Sequence, residues 1–164
     1  MSGIFMSLAR MLRLRGGPQE LPASWPLMIV LVSAYLMQNL ITGQQLEDDN
    51  AVAKSLLALC LQVIVLMGLL YWRRHMERFT QTLSAMAGVG VAFNAITWIL
   101  LTQSTTSPIQ PLLALGWLLV FIWSLFVDAH IYRNALSTTL SIGMLITVLT
   151  LAASSAFIEL LILV

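Results

Sequence analysis

The chain has 164 residues, of which 59% are hydrophobic and 9% charged, and its formal net charge is +1. Soluble domains carry about 25% charged residues, because their surface has to be hydrated. The composition therefore excludes a soluble globule and a disordered chain, and a single cysteine, Cys60, excludes an intramolecular disulfide.

The first predicted element lies within residues 1–24 and is amphipathic. Its apolar residues recur at the spacing of one helix face: Ile4, Phe5, Leu8, Met11 and Leu12. About twelve residues are too few to cross a bilayer, which takes about 20. We therefore predict a short N-terminal interfacial helix in the cytoplasmic headgroup layer, with Arg10, Arg13 and Arg15 facing anionic lipid. This helix either positions the first span at the membrane surface or serves in curvature sensing or partner docking.

Five continuous apolar stretches follow within residues 25–164, and each is long enough to cross the hydrocarbon core as a helix. They cover about 25–42, 54–72, 83–101, 111–127 and 136–160. Barrel strands would be shorter and would alternate in polarity. The sequence thus predicts an all-α integral membrane protein, a five-transmembrane-helix bundle.

The basic residues predict the orientation of this bundle, because lysine and arginine accumulate in cytoplasmic loops. With the N-terminus inside, the inner segments hold seven arginines: Arg10, Arg13, Arg15, Arg73, Arg74, Arg78 and Arg133. The outer segments hold Lys54, together with the acidic residues Glu47, Asp48 and Asp49. We predict a bacterial inner membrane protein with a cytoplasmic N-terminus, an external C-terminus and an uncleaved first span. Arg73, Arg74 and Arg78 are further candidates for contact with lipid headgroups.

Polar side chains inside the predicted spans need partners, since polarity in lipid is costly. Gln62 in the second span and Asn94 in the third lie at similar depth in neighbouring antiparallel helices. Their amides are expected to bond across the interface and fix the packing of the helices. Together with Gln38 they could instead line a conduit.

A ridge of small residues follows one side of the third span. Ser84, Gly88 and Ala92 recur at intervals of four, a spacing that lets helix backbones approach closely. We predict a helix-packing surface, and the sequence leaves open whether its partner lies in the same chain or in another subunit.

Four polar residues cluster where the fourth span is predicted to leave the membrane: Asp128, His130, Tyr132 and Arg133. An interfacial contact between Asp128 and arginine is the expected role, with proton transfer or metal binding as alternatives. Two ligand candidates fall short of the three or four that a metal needs. No catalytic or nucleotide-binding motif occurs in the sequence. We predict a non-enzymatic protein without cofactor or metal.

The layout of five spans behind a short N-terminal helix resembles the Yip (Ypt-interacting protein) superfamily, in its short bacterial members. The likeness rests on the proline-rich segment 15–26 (RGGPQELPASWP) and on 130–135 (HIYRNA), which closes the fourth span. Eukaryotic members carry a cytoplasmic N-terminal domain and serve small GTPases, and this chain has almost no such domain. For the bacterial members the resemblance implies membrane organisation or partner binding.

The favoured function is thus membrane organisation or association with lipid, with other membrane subunits or with itself, and without nucleic acid. One alternative is an accessory subunit of a transporter, secretion or respiratory complex. A second is a carrier of a small solute or lipid.

Overall fold

A computed structural model describes residues 2–46, 50–104 and 111–162. Within these ranges the secondary structure is helical: α1 (Ser2–Leu12), α2 (Trp25–Gln45), α3 (Ala51–Trp72), α4 (Phe79–Ser104), α5 (Pro111–Leu136) and α6 (Leu140–Ile162), with short 3-10 turns at Pro18–Glu20 and Met76–Arg78. Helices α2 to α6 are long and apolar enough to cross a membrane. This confirms the predicted five apolar helices. Glu47, Asp48 and Asp49 lie outside the described residues.

The ends of the long helices follow from local chemistry. Ser24 precedes α2, and its side-chain oxygen accepts a hydrogen bond from the Leu27 N–H at 3.5 Å, while Pro26 occupies the first turn, where no backbone donor is needed. Helix α5 continues beyond the predicted end at residue 127, and α6 starts at Leu140 instead of residue 136. The first difference arises because polar residues after 127 lower the local hydropathy without ending the helix. The second arises because Leu136 still belongs to α5 and the polar residues 137–139 connect the two helices.

Helix α4 forms the centre of the bundle. It packs most extensively on α2 and also on α5, while α5 packs on α6, and α3 contacts α2 and α6. Residues 82–89 of α4 are buried without interruption. The other long helices bury only a narrow side over most of their length, so their remaining surface is apolar and outward-facing. The exception is the end of α5, where residues 127–136 are mostly buried.

Helix α1 has the predicted conformation, but most of its apolar side packs against the bundle and does not face outward. Met11 is fully buried, and Ile4, Leu8 and Leu12 pack against the core. Phe5 is 78% exposed. Leu8 reaches the surface of α4 at Gly88, where the missing side chain leaves room for it.

Candidate functional site

One end of the bundle gathers the start of α2, the end of α3, the start of α4 and the α5–α6 connection, and we call it the basic end because most arginines lie there. Arg78 Nη1 donates hydrogen bonds to the carbonyls of Asn134 (3.3 Å) and Ala135 (3.2 Å) and to Ser137 Oγ (2.9 Å). Arg73 Nε donates to the Leu136 carbonyl at 3.4 Å. These carbonyls belong to the last turn of α5, which lacks helical partners for them. The two arginines therefore cap α5.

The six arginines predicted to contact lipid headgroups have different surroundings at this end. Arg10 Nη2 forms an ion pair with Glu20 Oε1 at 3.1 Å, and Arg73 and Arg78 bind the end of α5. The remaining three are exposed: Arg13, Arg15 and Arg74. Contact with lipid stays a prediction for all six.

The end of α1 and the segment that follows it are bound to α4 and α5 through their backbone carbonyls. Trp123 Nε1 donates to the Leu12 carbonyl at 3.0 Å, and the buried His130 donates from Nε2 to the Gly16 carbonyl at 2.9 Å. Gln81 Nε2 donates to the Leu21 carbonyl at 2.7 Å. His130 is therefore occupied in holding the N-terminal segment.

Helices α5 and α6 cross with their backbones in direct contact. A Cβ atom on Gly143 would overlap the carbonyl group of Ala129. Glycine is required here because any side chain would separate the two helices. Thr147, one turn further along α6, donates from Oγ1 to the Gly143 carbonyl at 3.0 Å and is buried.

Next to this crossing, α2 to α6 line a partly open cavity of about 290 Å³. Nine of the side chains that line it are polar: Tyr35, Gln62, Asn94, Ser124, Asp128, Tyr132, Thr147, Thr150 and Ser154. The rest of the wall is apolar and includes Phe93 and Phe121. The structure thus brings four polar residues singled out from the sequence to one space: Gln62, Asn94, Asp128 and Tyr132. Gln38 and His130 are not among the lining residues.

Asp128 lies inside the bundle, and the prediction of an interfacial contact with arginine is wrong. Helix α5 continues for eight residues beyond it, about 12 Å at 1.5 Å per residue. In the described ranges, no lysine, arginine or histidine lies within 4.0 Å of its carboxylate, and no hydrogen bond to that carboxylate is formed. Its carboxylate is instead close enough to Tyr35 and Tyr132 to interact with them electrostatically.

Several other polar atoms around the cavity also lack protein partners. Within the described part of the chain, the hydroxyl of Tyr132, a residue only 2% exposed, and the buried Nδ2 of Asn94 form no hydrogen bond within 3.5 Å, although the Thr150 side chain lies near the Tyr132 hydroxyl. Gln62 Nε2 donates to the sulfur of Met86 at 3.4 Å, a weak acceptor. The predicted bond between Gln62 and Asn94 is therefore not formed, and both amides face the same cavity.

Gln38 has partners of its own on α4. With its amide turned so that both of its polar atoms are satisfied, it donates to the Val91 carbonyl at 3.1 Å and accepts from the Ala95 N–H at 2.8 Å. It joins α2 to α4 and does not belong to the polar set around the cavity.

The predicted small-residue ridge on α4 contacts other helices of the same chain. A Cβ atom on Gly88 would lie 2.8 Å from Leu8 Cδ2 and 3.6 Å from Leu31 Cδ1. One on Gly90 would lie 2.7 Å from the Tyr35 ring. Ser84 is fully buried and Ala92 is half-buried. The two glycines thus allow α1 and α2 to pack closely on α4. Gly90 also leaves room for the Tyr35 ring in the cavity wall.

Sequence reasoning missed most of the cavity wall, although the spacing of polar residues carried a signal. In α5, Ser124, Asp128 and Tyr132 recur every four residues, and in α6, Thr147, Thr150 and Ser154 recur at three and four. Such spacing places polar groups on one side of each helix. Two facing polar stripes in otherwise apolar helices indicate a shared polar interior.

Comparison of the chain with models of protein families, with curated proteins and with solved structures finds no match. The resemblance to the Yip superfamily therefore stays a prediction.

Proposed function

We propose that the protein is an integral membrane protein that binds a small polar solute, or the polar headgroup of a lipid, in the cavity between its helices, as a carrier does. The observation that supports this best is the combination in one space of Asp128 with the unpartnered Tyr132 hydroxyl and Asn94 amide. Buried polar groups without partners are costly, and a ligand that bonds to them removes that cost.

The size of the cavity supports a small ligand. Ligand sites usually measure about 300–1,000 Å³, and the cavity, at about 290 Å³, is close to the lower limit. It has room for a headgroup or a solute of a few heavy atoms, and the chain of a whole lipid would have to lie outside it. Its position also fits, because ionisable residues at membrane depth generally mark solute or ion pathways.

For the membrane placement we propose that α2 to α6 span a bacterial inner membrane with the basic end in the cytoplasm. The support is the grouping of arginines at that end, which follows the positive-inside rule. Asp128 would then lie about 12 Å inward from the cytoplasmic end of α5.

Partner association and a role as accessory subunit stay predictions with less support. Both drew on the small-residue ridge of α4, but Leu8 and Leu31 of the same chain occupy the surface at Gly88. A second subunit would have to use the outer sides of the helices instead.

Native mass spectrometry of the protein released from its own membrane in mild detergent tests the proposal. We expect wild type to carry a discrete small-molecule mass increment. Thr150→Leu, which puts a larger and apolar side chain into the cavity, should lower its occupancy at least about ten-fold, a loss of about 1.4 kcal/mol of binding free energy. Leu149→Ile is the matched control, because Leu149 is the adjacent residue on the outer side of α6. A wild type without an increment, or equal occupancy in both variants, would refute ligand binding in the cavity.

A further inference from the structure

Among the described residues that line it, the cavity contains one acidic side chain and no basic one. Its lining residues include Asp128 but no lysine, arginine or histidine. The described cations lie elsewhere, with Arg73 and Arg78 held by the end of α5 and His130 held by Gly16. A carboxylate surrounded by apolar helices is unfavourable unless a positive charge or a proton joins it. The missing partner is therefore a proton or a cationic ligand.

One carboxylate balances one positive charge. A divalent metal would leave an excess charge in the interior and usually takes six or more oxygen ligands, several of them carboxylates. No group of three or more histidine, cysteine, aspartate or glutamate side chains that could hold a metal occurs in the described ranges. Charge and ligand number both favour a monovalent cation.

The aromatic wall favours an organic cation over a bare ion. Four rings line the cavity: Tyr35, Phe93, Phe121 and Tyr132. Aromatic rings around a carboxylate are the setting in which alkylammonium groups bind, since ring faces attract the charge and accommodate the attached carbons. A cavity of about 290 Å³ also exceeds what a single inorganic ion fills.

Hydrogen-bond acceptors complete the arrangement. An ammonium group donates up to three bonds, and the Asp128 carboxylate and the Tyr132 hydroxyl are both available as acceptors. Further from the basic end, the Asn94 amide nitrogen is an unused donor in the cavity wall. Asn94 lies fifteen residues into α4, about 22 Å from the start of that helix at the basic end. Asp128 lies about 12 Å from the end of α5, which is also at the basic end, so Asn94 and Asp128 are separated along the bundle.

Building on the proposed function, we infer that the cavity binds a small monovalent alkylammonium, with Asp128 as its counter-ion and Tyr132 as a hydrogen-bond acceptor. Such a group occurs both in free amines and in ethanolamine headgroups of phospholipids. The shared chemistry is a primary or substituted ammonium joined to a short polar chain.

The test measures dissociation constants from the concentration dependence of the unfolding temperature, in nanodiscs of phosphatidylglycerol. Three probes of similar size differ in charge: ethanolammonium, ethylene glycol and glycolate. We expect ethanolammonium to stabilise wild type and the neutral and anionic probes to have no effect. Binding of ethylene glycol as tight as that of ethanolammonium, or an absence of ethanolammonium binding, would overturn the inference.

Two variants assign the roles of the side chains. Asp128→Asn keeps the shape and removes the charge, and it should raise the dissociation constant of ethanolammonium roughly 30-fold or more. Tyr132→Phe removes one acceptor and should raise it about ten-fold. Leu149→Ile should bind like wild type. If Asp128→Asn or Tyr132→Phe bound ethanolammonium as tightly as wild type, the role assigned to that side chain would be refuted.

The same measurements separate this inference from the proposed function. If ethylene glycol binds, and Thr150→Leu abolishes that binding while Asp128→Asn does not, the cavity is a ligand site but not for cations. Repeating the ethanolammonium titration in phosphatidylethanolamine nanodiscs identifies the source of the ligand. A dissociation constant at least about ten-fold higher there indicates that the lipid headgroup competes for the cavity. An unchanged value indicates that the natural ligand is a free amine. Both results are consistent with binding of an ammonium group.

Discussion

Polar side chains have hydrogen-bond partners at the basic end and lack them in the cavity. At the basic end, Arg73, Arg78 and His130 each donate to a backbone carbonyl. In the cavity, Asp128 and Tyr132 have no such partner among the described residues. Polar groups at the basic end therefore stabilise the fold, while those in the cavity can still form hydrogen bonds with a ligand.

The contrast is sharpest within two residues of α5. Asp128 and His130 are about 200° apart around the helix, because each residue advances about 100°. One side chain faces the cavity and the other faces Gly16 of the N-terminal segment. Neighbouring titratable residues in a sequence therefore need not share a site.

The largest effect is expected where α5 and α6 touch. Gly143→Leu would force a side chain into the Ala129 carbonyl and destabilise the protein by about 3 kcal/mol or more. Thermal unfolding in detergent measures the loss, with Gly68→Leu as control, since nothing lies within 4 Å of a Cβ atom there. Equal stability of the two variants would mean that the crossing is not as close as described.

A smaller effect is expected from removing a cap at the basic end. Arg78→Met loses charge-assisted hydrogen bonds to Asn134, Ala135 and Ser137 and should destabilise the protein by about 2 kcal/mol. Arg133→Met removes the same charge from an exposed position of α5 and should change stability by less than about 0.5 kcal/mol. Denaturant titration measures the free energy of unfolding of both variants. An equal loss in Arg78→Met and Arg133→Met would argue against capping by Arg78.

The roles of His130 in docking and of Asp128 in ligand binding should also be separable. His130→Phe loses the bond to Gly16 and should weaken docking of the N-terminal segment by about 1.5 kcal/mol, without affecting ethanolammonium binding. Asp128→Asn should have the reverse pattern. Limited proteolysis at residues 13–17, followed by titration with ethanolammonium, measures both properties. A variant that impaired docking and binding together would contradict the division.

The smallest effect is expected on α1, and it distinguishes packing from lipid contact. Leu8→Ser removes a half-buried side chain that lies against Gly88 and should weaken docking of α1 by about 1 kcal/mol. Phe5→Ser changes an exposed residue and should leave docking unaffected while reducing contact with lipid. Hydrogen exchange of residues 2–12 reports docking, and comparable exchange in the two variants would show that α1 lies on lipid alone.

The five long helices were predictable because each is a continuous apolar stretch, a signal that local sequence contains in full. The environment of Asp128 was not, because hydropathy falls at Asp128, His130 and Arg133, and that drop wrongly indicated the end of a span. The interior position of Asp128 depends on Gly143 crossing α5 and on Thr147 and Thr150 facing it from α6. Such contacts between distant segments cannot be derived from periodicity alone, although the polar stripe from Ser124 to Tyr132 pointed towards them.

The most direct test of a polar space inside the bundle compares two adjacent residues of α6. Thr150 lines the cavity, while Leu149 is 59% exposed on the outer side. With Cys60 replaced by alanine, single cysteines at these positions are treated in membranes with a small cationic methanethiosulfonate, which reacts with the thiolate that forms where water is present. We expect rapid modification of Thr150→Cys, slowed by ethanolammonium, and almost none of Leu149→Cys. Modification of Leu149→Cys at the same rate, or an unreactive Thr150→Cys, would contradict the account.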